Sequence, residues 1–326
     1  MQRIGITTTI PSEIILATGA VVVDLNNVFI NSHKRHEFIK KAERDGYPRN
    51  VCGWIKGIYG VLACESDITA VVAVTQGDCS NTHALMETLQ LLGIRTIPFA
   101  YPYNRDPELL YREIAFLAAE FGTDVDAAER MRKVLEPIRT QLDRLDEMTW
   151  KENRISGYEN HVWLVSSSDF NSDYASFAHE LSHFLSEAEK RIPFHERVRL
   201  AYIGVPPIVD DLYTVVEELG ARVVFNEVQR QFSMPSRNSS FIDQYLAYTY
   251  PYSIFHRLNY INPELKRRSI HGVIHYVQSF CHRHIQDLII RKKIDIPVLT
   301  IEGESPCIVD ARTKIRLQAF IEMLER

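Results

Sequence analysis

One pattern occurs twice in this chain and limits its fold more than any other property. The stretch "RIGITTTIPSEIILATGAVVVDL" reads as a strand, a turn at Pro11, a short amphipathic helix closing at Gly19, and a second strand. Near residue 200, "VRLAYIGVPPIVDDLYTVVEELGARVVFNE" reads the same way, with Pro206 and Pro207 at the turn and Gly220 closing the helix. The match resumes further on. "ITAVVAVTQGDCSNTHALMETLQLLGIRTIPFAYP" and "HGVIHYVQSFCHRHIQDLIIRKKIDIPVLTIEG" each run from an apolar strand through a cysteine into a helix of about four turns and then an Ile-Pro strand. A helix after each strand, on short connections, implies parallel β/α units. The expected fold is α/β: two similar doubly wound parallel-sheet domains with a helical insert between them.

The expected boundaries are 1–105 for a first domain carrying Cys52 and Cys79, 106–197 for the insert, and 198–326 for a second domain carrying Cys281. In the insert, Asp106-Pro107 is a good helix start, and "DVDAAERMRKVLEPIRTQLDRLDEMTW" repeats apolar residues every three to four positions. The Tyr- and Asn-rich stretch "SRNSSFIDQYLAYTYPYSIFHRLNYINPELKRRS" is expected to loop over the second domain.

Composition narrows the function classes. A net charge of −5 with scattered Lys and Arg argues against nucleic acid as a partner. No apolar run reaches the roughly 18 residues of a membrane span, and the N-terminus lacks a secretory signal, so no membrane association and a cytoplasmic location are expected. Neither G-x-x-x-x-G-K nor G-x-G-x-x-G occurs, so any ATP hydrolysis must come from a partner.

Five cysteines, Cys52, Cys64, Cys79, Cys281 and Cys307, are too odd in number and too widely spaced for a disulfide framework. Taken singly, each is more readily a small buried hydrophobe than a ligand. The repeat changes this for Cys79 and Cys281, which occupy equivalent places where a strand ends and a helix begins. There, unpaired N–H groups and the helix dipole stabilise a thiolate or an anionic cluster. Cys52 precedes Cys79 by 27 residues, and the matching point before Cys281 falls around Tyr252 and Ser253, without a thiol. Three thiolates and one non-cysteine position, meeting in a cleft between the domains, are what an iron-sulfur cluster with one reactive iron requires. Cys64 and Cys307 lack both a repeat partner and a helix start and are expected to be inert.

Other residues compete for attention. His179, Glu180 and His183 fit the H-E-x-x-H pattern of a zinc hydrolase, but no third ligand follows at the usual distance, which falls in "RLAYIGVPP". His275, His282 and His284 flank Cys281. His282 is the one candidate for a catalytic or sulfur-directed role, against the plain alternative of a solvated histidine. Glu13 is expected to complement a helix dipole, and Arg312 and Arg316 to form a solvated basic edge with room for a coenzyme phosphate or a partner.

The motifs "PSEIILATGAVVV", "CGWIKG", "GDCSNTH", "GVIHYVQSFCHRHIQD", "IPVLTIEG" and "DARTKIRLQAFIEML" resemble the D-component family of 2-hydroxyacyl-CoA dehydratases, which includes benzoyl-CoA reductase subunits and double-cubane cluster proteins. The resemblance covers nearly the whole chain. It implies a 4Fe-4S cluster on Cys52, Cys79 and Cys281, and an ATP-dependent activator protein with its own iron-sulfur cluster as electron donor. It further implies oxygen-sensitive, low-potential reductive chemistry on an acyl-CoA or small-molecule substrate: in the dehydratases, water is eliminated through a ketyl radical. A homodimer, or a heterodimer with a related subunit, is expected. The chain begins at the first strand without the helical extension of longer members, which leaves room for a homodimer sharing a double-cubane 8Fe-9S cluster. A non-catalytic iron-sulfur electron relay is the remaining alternative.

Overall fold

A computed structural model describes residues 2–64, 67–236 and 239–326. Eight strands, Arg3–Ile6 (β1), Val21–Asp24 (β2), Ala70–Gln76 (β3), Arg95–Ala100 (β4), Val198–Gly204 (β5), Ala221–Asn226 (β6), Gly272–Gln278 (β7) and Val298–Gly303 (β8), make two four-stranded sheets. Every pairing is parallel, in the orders β2-β1-β3-β4 and β6-β5-β7-β8. The two sheets therefore share one topology, as the repeat predicts, and helices flank each.

The chain divides into two compact units. Met1–Arg139, Ser166–Ala178 and Met234–Ser253 form the first, and Thr140–Val165, His179–Ser233 and Ile254–Arg326 the second. The insert region supplies four long helices, Pro107–Glu120, Val125–Trp150, Gly157–Ser166 and Tyr174–Ala188. Asp106 starts the first of these as expected, accepting from the amides of Glu108 and Leu109 at 2.9 and 3.0 Å ahead of Pro107.

Strand sequences explain the layering. β7 and the edge strand β6 are buried at every position, the polar Arg222, Asn226, His275 and Gln278 included, as strands covered by helices on both faces must be. β4 and β8 are the half-exposed edges, and Pro98 in β4 denies that edge one donor. Gly19 (φ 77°) and Gly220 (φ 83°) turn the chain after the first helix of each repeat through a conformation that costs glycine nothing.

Beneath the second sheet, Leu258, Ile261 and Leu265 of the helix Ile254–Arg267 pack with Ala201, Ile203, Val273 and Ile290 in one apolar cluster. A charge network is buried beside it. Arg268 donates two hydrogen bonds to Asp146, at 2.9 and 2.5 Å, one to Glu264 at 2.8 Å and one to the Val224 carbonyl at 2.9 Å. Arg230 reaches the same Asp146 at 2.8 Å. Burial alone would raise the Asp146 pKa, but the Arg268 and Arg230 charges take it below the usual carboxylate value. An Arg268→Met substitution takes two of the three arginine hydrogen bonds from the buried Asp146 carboxylate and leaves it Arg230 alone, so a loss of about 3 kcal/mol is expected, read as a lowered urea midpoint at unchanged m-value.

Candidate functional site

In each sheet the chain leaves the first strand toward one edge and returns to pair on its other side. Adjacent loops at the carboxyl ends of β1 and β3, and of β5 and β7, thereby point away from each other, which is where such sheets bind ligands. Cys79 lies in the loop leaving β3, its carbonyl accepting from the Thr82 amide at 3.1 Å as the helix Thr82–Leu91 begins. Cys281 holds the same place after β7. Its amide donates to the Gln278 carbonyl and its own carbonyl accepts from His284, both at 3.0 Å. Both thiols are partly exposed.

Cys52 is buried and heads the helix Gly53–Cys64, with its carbonyl accepting the first helical bond from Lys56 at 3.2 Å. A glycine stripe positions this helix. A Cβ at Gly57 would stand 2.5 Å from the Phe29 ring and one at Gly60 2.3 Å from the Phe38 carbonyl, so only glycine permits such close approach. Lys56, also buried, is tied to Glu43 at 2.8 Å and the Arg49 carbonyl at 3.1 Å. In the second half, the helix Ile254–Arg267 likewise precedes β7, and the residue ahead of it is Ser253. The repeat thus aligns Cys52 with a hydroxyl rather than a thiol.

The Tyr-rich stretch expected over the second sheet divides: Ile254–Arg267 does pack under that sheet, whereas the part up to Ser253 packs on the first. Tyr245 donates to the Ile10 carbonyl at 3.0 Å and Tyr250 to Asp78, the neighbour of Cys79, at 3.1 Å. The expectation followed position in the sequence, whereas apolar rings go where they can be covered: Tyr101, Tyr245, Tyr248 and Tyr252 are all buried. Gly77 (φ 101°) completes the fit, since a Cβ there would lie 2.8 Å from the Pro251 Cβ. Glu13 does sit in a first helical turn, but it is fully buried and bound to Arg139 at 2.5 Å, Tyr245 at 2.6 Å and Gln244 at 3.0 Å. Burial raises its pKa, and the Arg139 charge with the Tyr245 and Arg139 hydrogen bonds more than reverses this. The carboxylate is a tether between chain segments, not a simple dipole partner. Gly77→Ala should lower the stability of the protein by about 1–3 kcal/mol in chemical denaturation, from strained φ and the Pro251 clash together.

At the carboxyl end of β2, Asp24 and Asp169 form a buried acidic pair. The Asp24 amide donates to Asp169 at 2.8 Å and Ser168 donates to the Asp24 carboxylate at 2.6 Å. Three consecutive residues, Phe170, Asn171 and Ser172, have φ of 52°, 51° and 67°, a strained run fixed in part by the Asn171 amide donating to Asp169 at 3.1 Å. Burial, then the neighbouring Asp24 charge, pushes Asp169 up to about 7. Between pH 3.8 and about 7 the native state therefore holds a proton that the unfolded chain has lost, and stability falls as pH rises through that window. Asp169→Asn should flatten this slope and gain on the parent at pH 8, measured by urea midpoints across pH.

In the second unit, the helix after Cys281 departs from the expected four turns. A 3-10 turn, His282–Gln286, comes first, and the α-helix proper is Asp287–Lys293. Asp287 is pinned to the sheet: Nδ1 of His275 lies at 2.7 Å, Thr300 donates at 2.6 Å and Arg291 at 2.6 Å. Burial raises its pKa, but the bonds from Thr300, Arg291 and His275 bring it down to about 2. His275 is thus a buried β7 residue engaged with Asp287, while His282 and His284 are exposed on the 3-10 turn. Phe280, just before Cys281, has φ 64°.

Several buried polar atoms lack a hydrogen-bond partner: Oγ1 of Thr9 beyond β1 and, within three residues of a cysteine along the chain, Nε1 of Trp54, Oγ1 of Thr82 and Oε1 of Gln278 at the end of β7. The remaining candidates do not gather. His179, Glu180 and His183 are exposed along the helix Tyr174–Ala188, as are Cys64 and Cys307. Arg312 is exposed, and Arg316 donates to the Thr300 carbonyl at 2.6 Å. Among the described residues, no group of three or more His, Cys, Asp or Glu side chains stands ready to hold a metal ion. No helix there is long and apolar enough to cross a membrane.

The family model for the 2-hydroxyglutaryl-CoA dehydratase D-component matches residues 7–324. The chain belongs to this D-component family. Membership supports an enzyme of the dehydratase or reductase type, in line with the motifs around Cys52, Cys79 and Cys281. Among curated proteins, none matches this D-component chain.

Proposed function

We propose that this D-component is an iron-sulfur enzyme in which Cys52, Cys79 and Cys281 hold a 4Fe-4S cluster and leave one iron to the substrate. The observation that carries the reading is positional: Cys79 and Cys281 occupy the same loop of two identical topologies, at the point where each sheet reverses its winding direction. Cys52 heads a 12-residue helix, so the helix dipole favours its thiolate form. The donor set is chemically apt, because thiolates are the ordinary ligands of iron-sulfur clusters. Unpaired buried atoms at Trp54 and Thr82, next to two of the three cysteines, fit a bound group that accepts hydrogen bonds.

When bound, such a cluster supplies low-potential electrons and a Lewis-acidic iron to an acyl-CoA or related small-molecule substrate. The protein's own part is to fix and shield. The Tyr245–Tyr252 segment, through Tyr250 and Asp78, steadies the Cys79 loop, and the glycine-packed helix behind Cys52 fixes that thiol. His275 and Asp287 anchor the turn that follows Cys281. The family resemblance supports electron delivery by an ATP-dependent activator carrying its own cluster, and an assembly with a second copy or a related subunit. A double-cubane cluster shared across a homodimer is the variant of this reading that an iron and sulfide count separates from the single cluster.

Anaerobic reconstitution should give a brown protein absorbing near 400 nm with about four iron and four sulfide ions per chain, as a 4Fe-4S cluster requires. Cys79→Ser should lose most of that absorption and iron. A Cys79→Ser chain that keeps its full iron content removes the three-cysteine reading, and zinc bound in place of iron supports a hydrolase at His179 and His183.

A further inference from the structure

The helices that start at the two cysteines of the first unit share a second feature. Each carries, within its first turn, a buried hydrogen-bond donor with no acceptor: the Trp54 indole N–H, two residues after Cys52, and the Thr82 hydroxyl, three after Cys79. Leaving such a donor unsatisfied is unfavourable, and native proteins rarely do so without a bound partner. Packing restrains both groups. Phe29 meets the Trp54 ring edge-on at a centroid distance of 5.6 Å. Thr82 is fully buried, its amide is committed to the Cys79 carbonyl at 3.1 Å, and its β-branched side chain has few rotamers. The same helix start lacks a side-chain cap, since Asn81 makes no capping bond.

We propose that Trp54 and Thr82 are the hydrogen-bond donors of the cluster site, directed at sulfur, whether a bridging sulfide or the ligating thiolates of Cys52 and Cys79. This rests on the three-cysteine reading above. Sulfur carries the excess negative charge of a reduced cluster, so N–H and O–H donors stabilise the reduced state more than the oxidised one and raise the reduction potential. They are positioning and tuning residues rather than catalytic ones. They adjust how strongly the centre holds the electron that it receives, in a protein whose chemistry depends on passing that electron to substrate.

The test uses the reconstituted full-length chain with Thr82→Val, Thr82→Ser and Trp54→Phe. Thr82→Val and Trp54→Phe should take up iron like the parent yet shift the midpoint of an anaerobic redox titration to more negative potential, with Thr82→Ser restoring it. Iron–sulfur stretching bands in resonance Raman spectra should move on transfer to D2O in the parent and move less in the two variants. Before reconstitution the same variants should unfold at the parental or a higher urea concentration, because they remove a donor that has no partner there. A merely structural role would lower that concentration and leave the potential unmoved.

An unchanged potential in both iron-loaded variants overturns the proposal, as does failure of both to take up iron although they fold like the parent. Full iron retention in Cys79→Ser instead overturns the underlying reading, so the two failures are told apart.

Discussion

Parallel pairing on both sides of one early strand is the constraint from which the rest follows. β1 accepts β2 on one side and β3 on the other, and β5 does the same with β6 and β7. Crossover connections between parallel strands are right-handed, so helices on opposite sides of the starting strand must lie on opposite faces of the sheet. The loops leaving the two inner strands then diverge and open a crevice at their carboxyl ends. Close backbone packing sharpens this in the second unit. Gly204, at the end of β5, has φ 108°, and a Cβ there would stand 2.0 Å from the Tyr276 carbonyl of β7. A side chain at that point would force the two inner strands apart where their loops separate.

Buried charge, rather than apolar area alone, fixes the segments around these crevices. Glu13, Arg139, Gln244 and Tyr245 come from three distant stretches of chain and satisfy one another. Arg257 and Glu227 make a two-point pair at 3.1 and 2.7 Å, both fully buried. Such pairs contribute little net stability over an apolar substitute, but breaking one is costly, so they specify which segments meet. The contrast with Asp24 and Asp169 is instructive. Two like carboxylates in one buried place cannot both remain charged easily, and one keeps its proton toward neutral pH.

Much of the architecture was legible in the sequence because it is written in local signals. Strand-turn-helix periodicity, Gly19 and Gly220 after helices, and Asp106-Pro107 before one all state the outcome within a few residues. The duplicated topology followed from comparing those signals at two places. Less legible was anything set by tertiary contact. The role of Glu13 depends on Arg139 and Tyr245, which are more than 100 residues away, and no local pattern announces it. The Tyr-rich stretch reads as a loop over the nearer sheet in sequence, which holds for Ile254–Arg267, whereas Met234–Ser253 belongs with the first unit. Nothing in the sequence marks Trp54 or Thr82, because an unsatisfied donor is visible only once its surroundings are known. The family match over residues 7–324 spans all the motifs that carried the resemblance.

Membership of Met234–Ser253 in the first unit bears on how the protein is made. Tyr245 and Gln244 complete the buried partners of Glu13, so a nascent chain that has emerged only as far as β4 lacks part of its own interior. Domains usually fold as units while synthesis proceeds from the N-terminus. Here the amino-terminal sheet must wait, partly finished, until roughly three quarters of the polypeptide has left the ribosome. Truncation before that point would leave tyrosine-covered surfaces bare, which ties the yield of folded protein to uninterrupted translation through the second half.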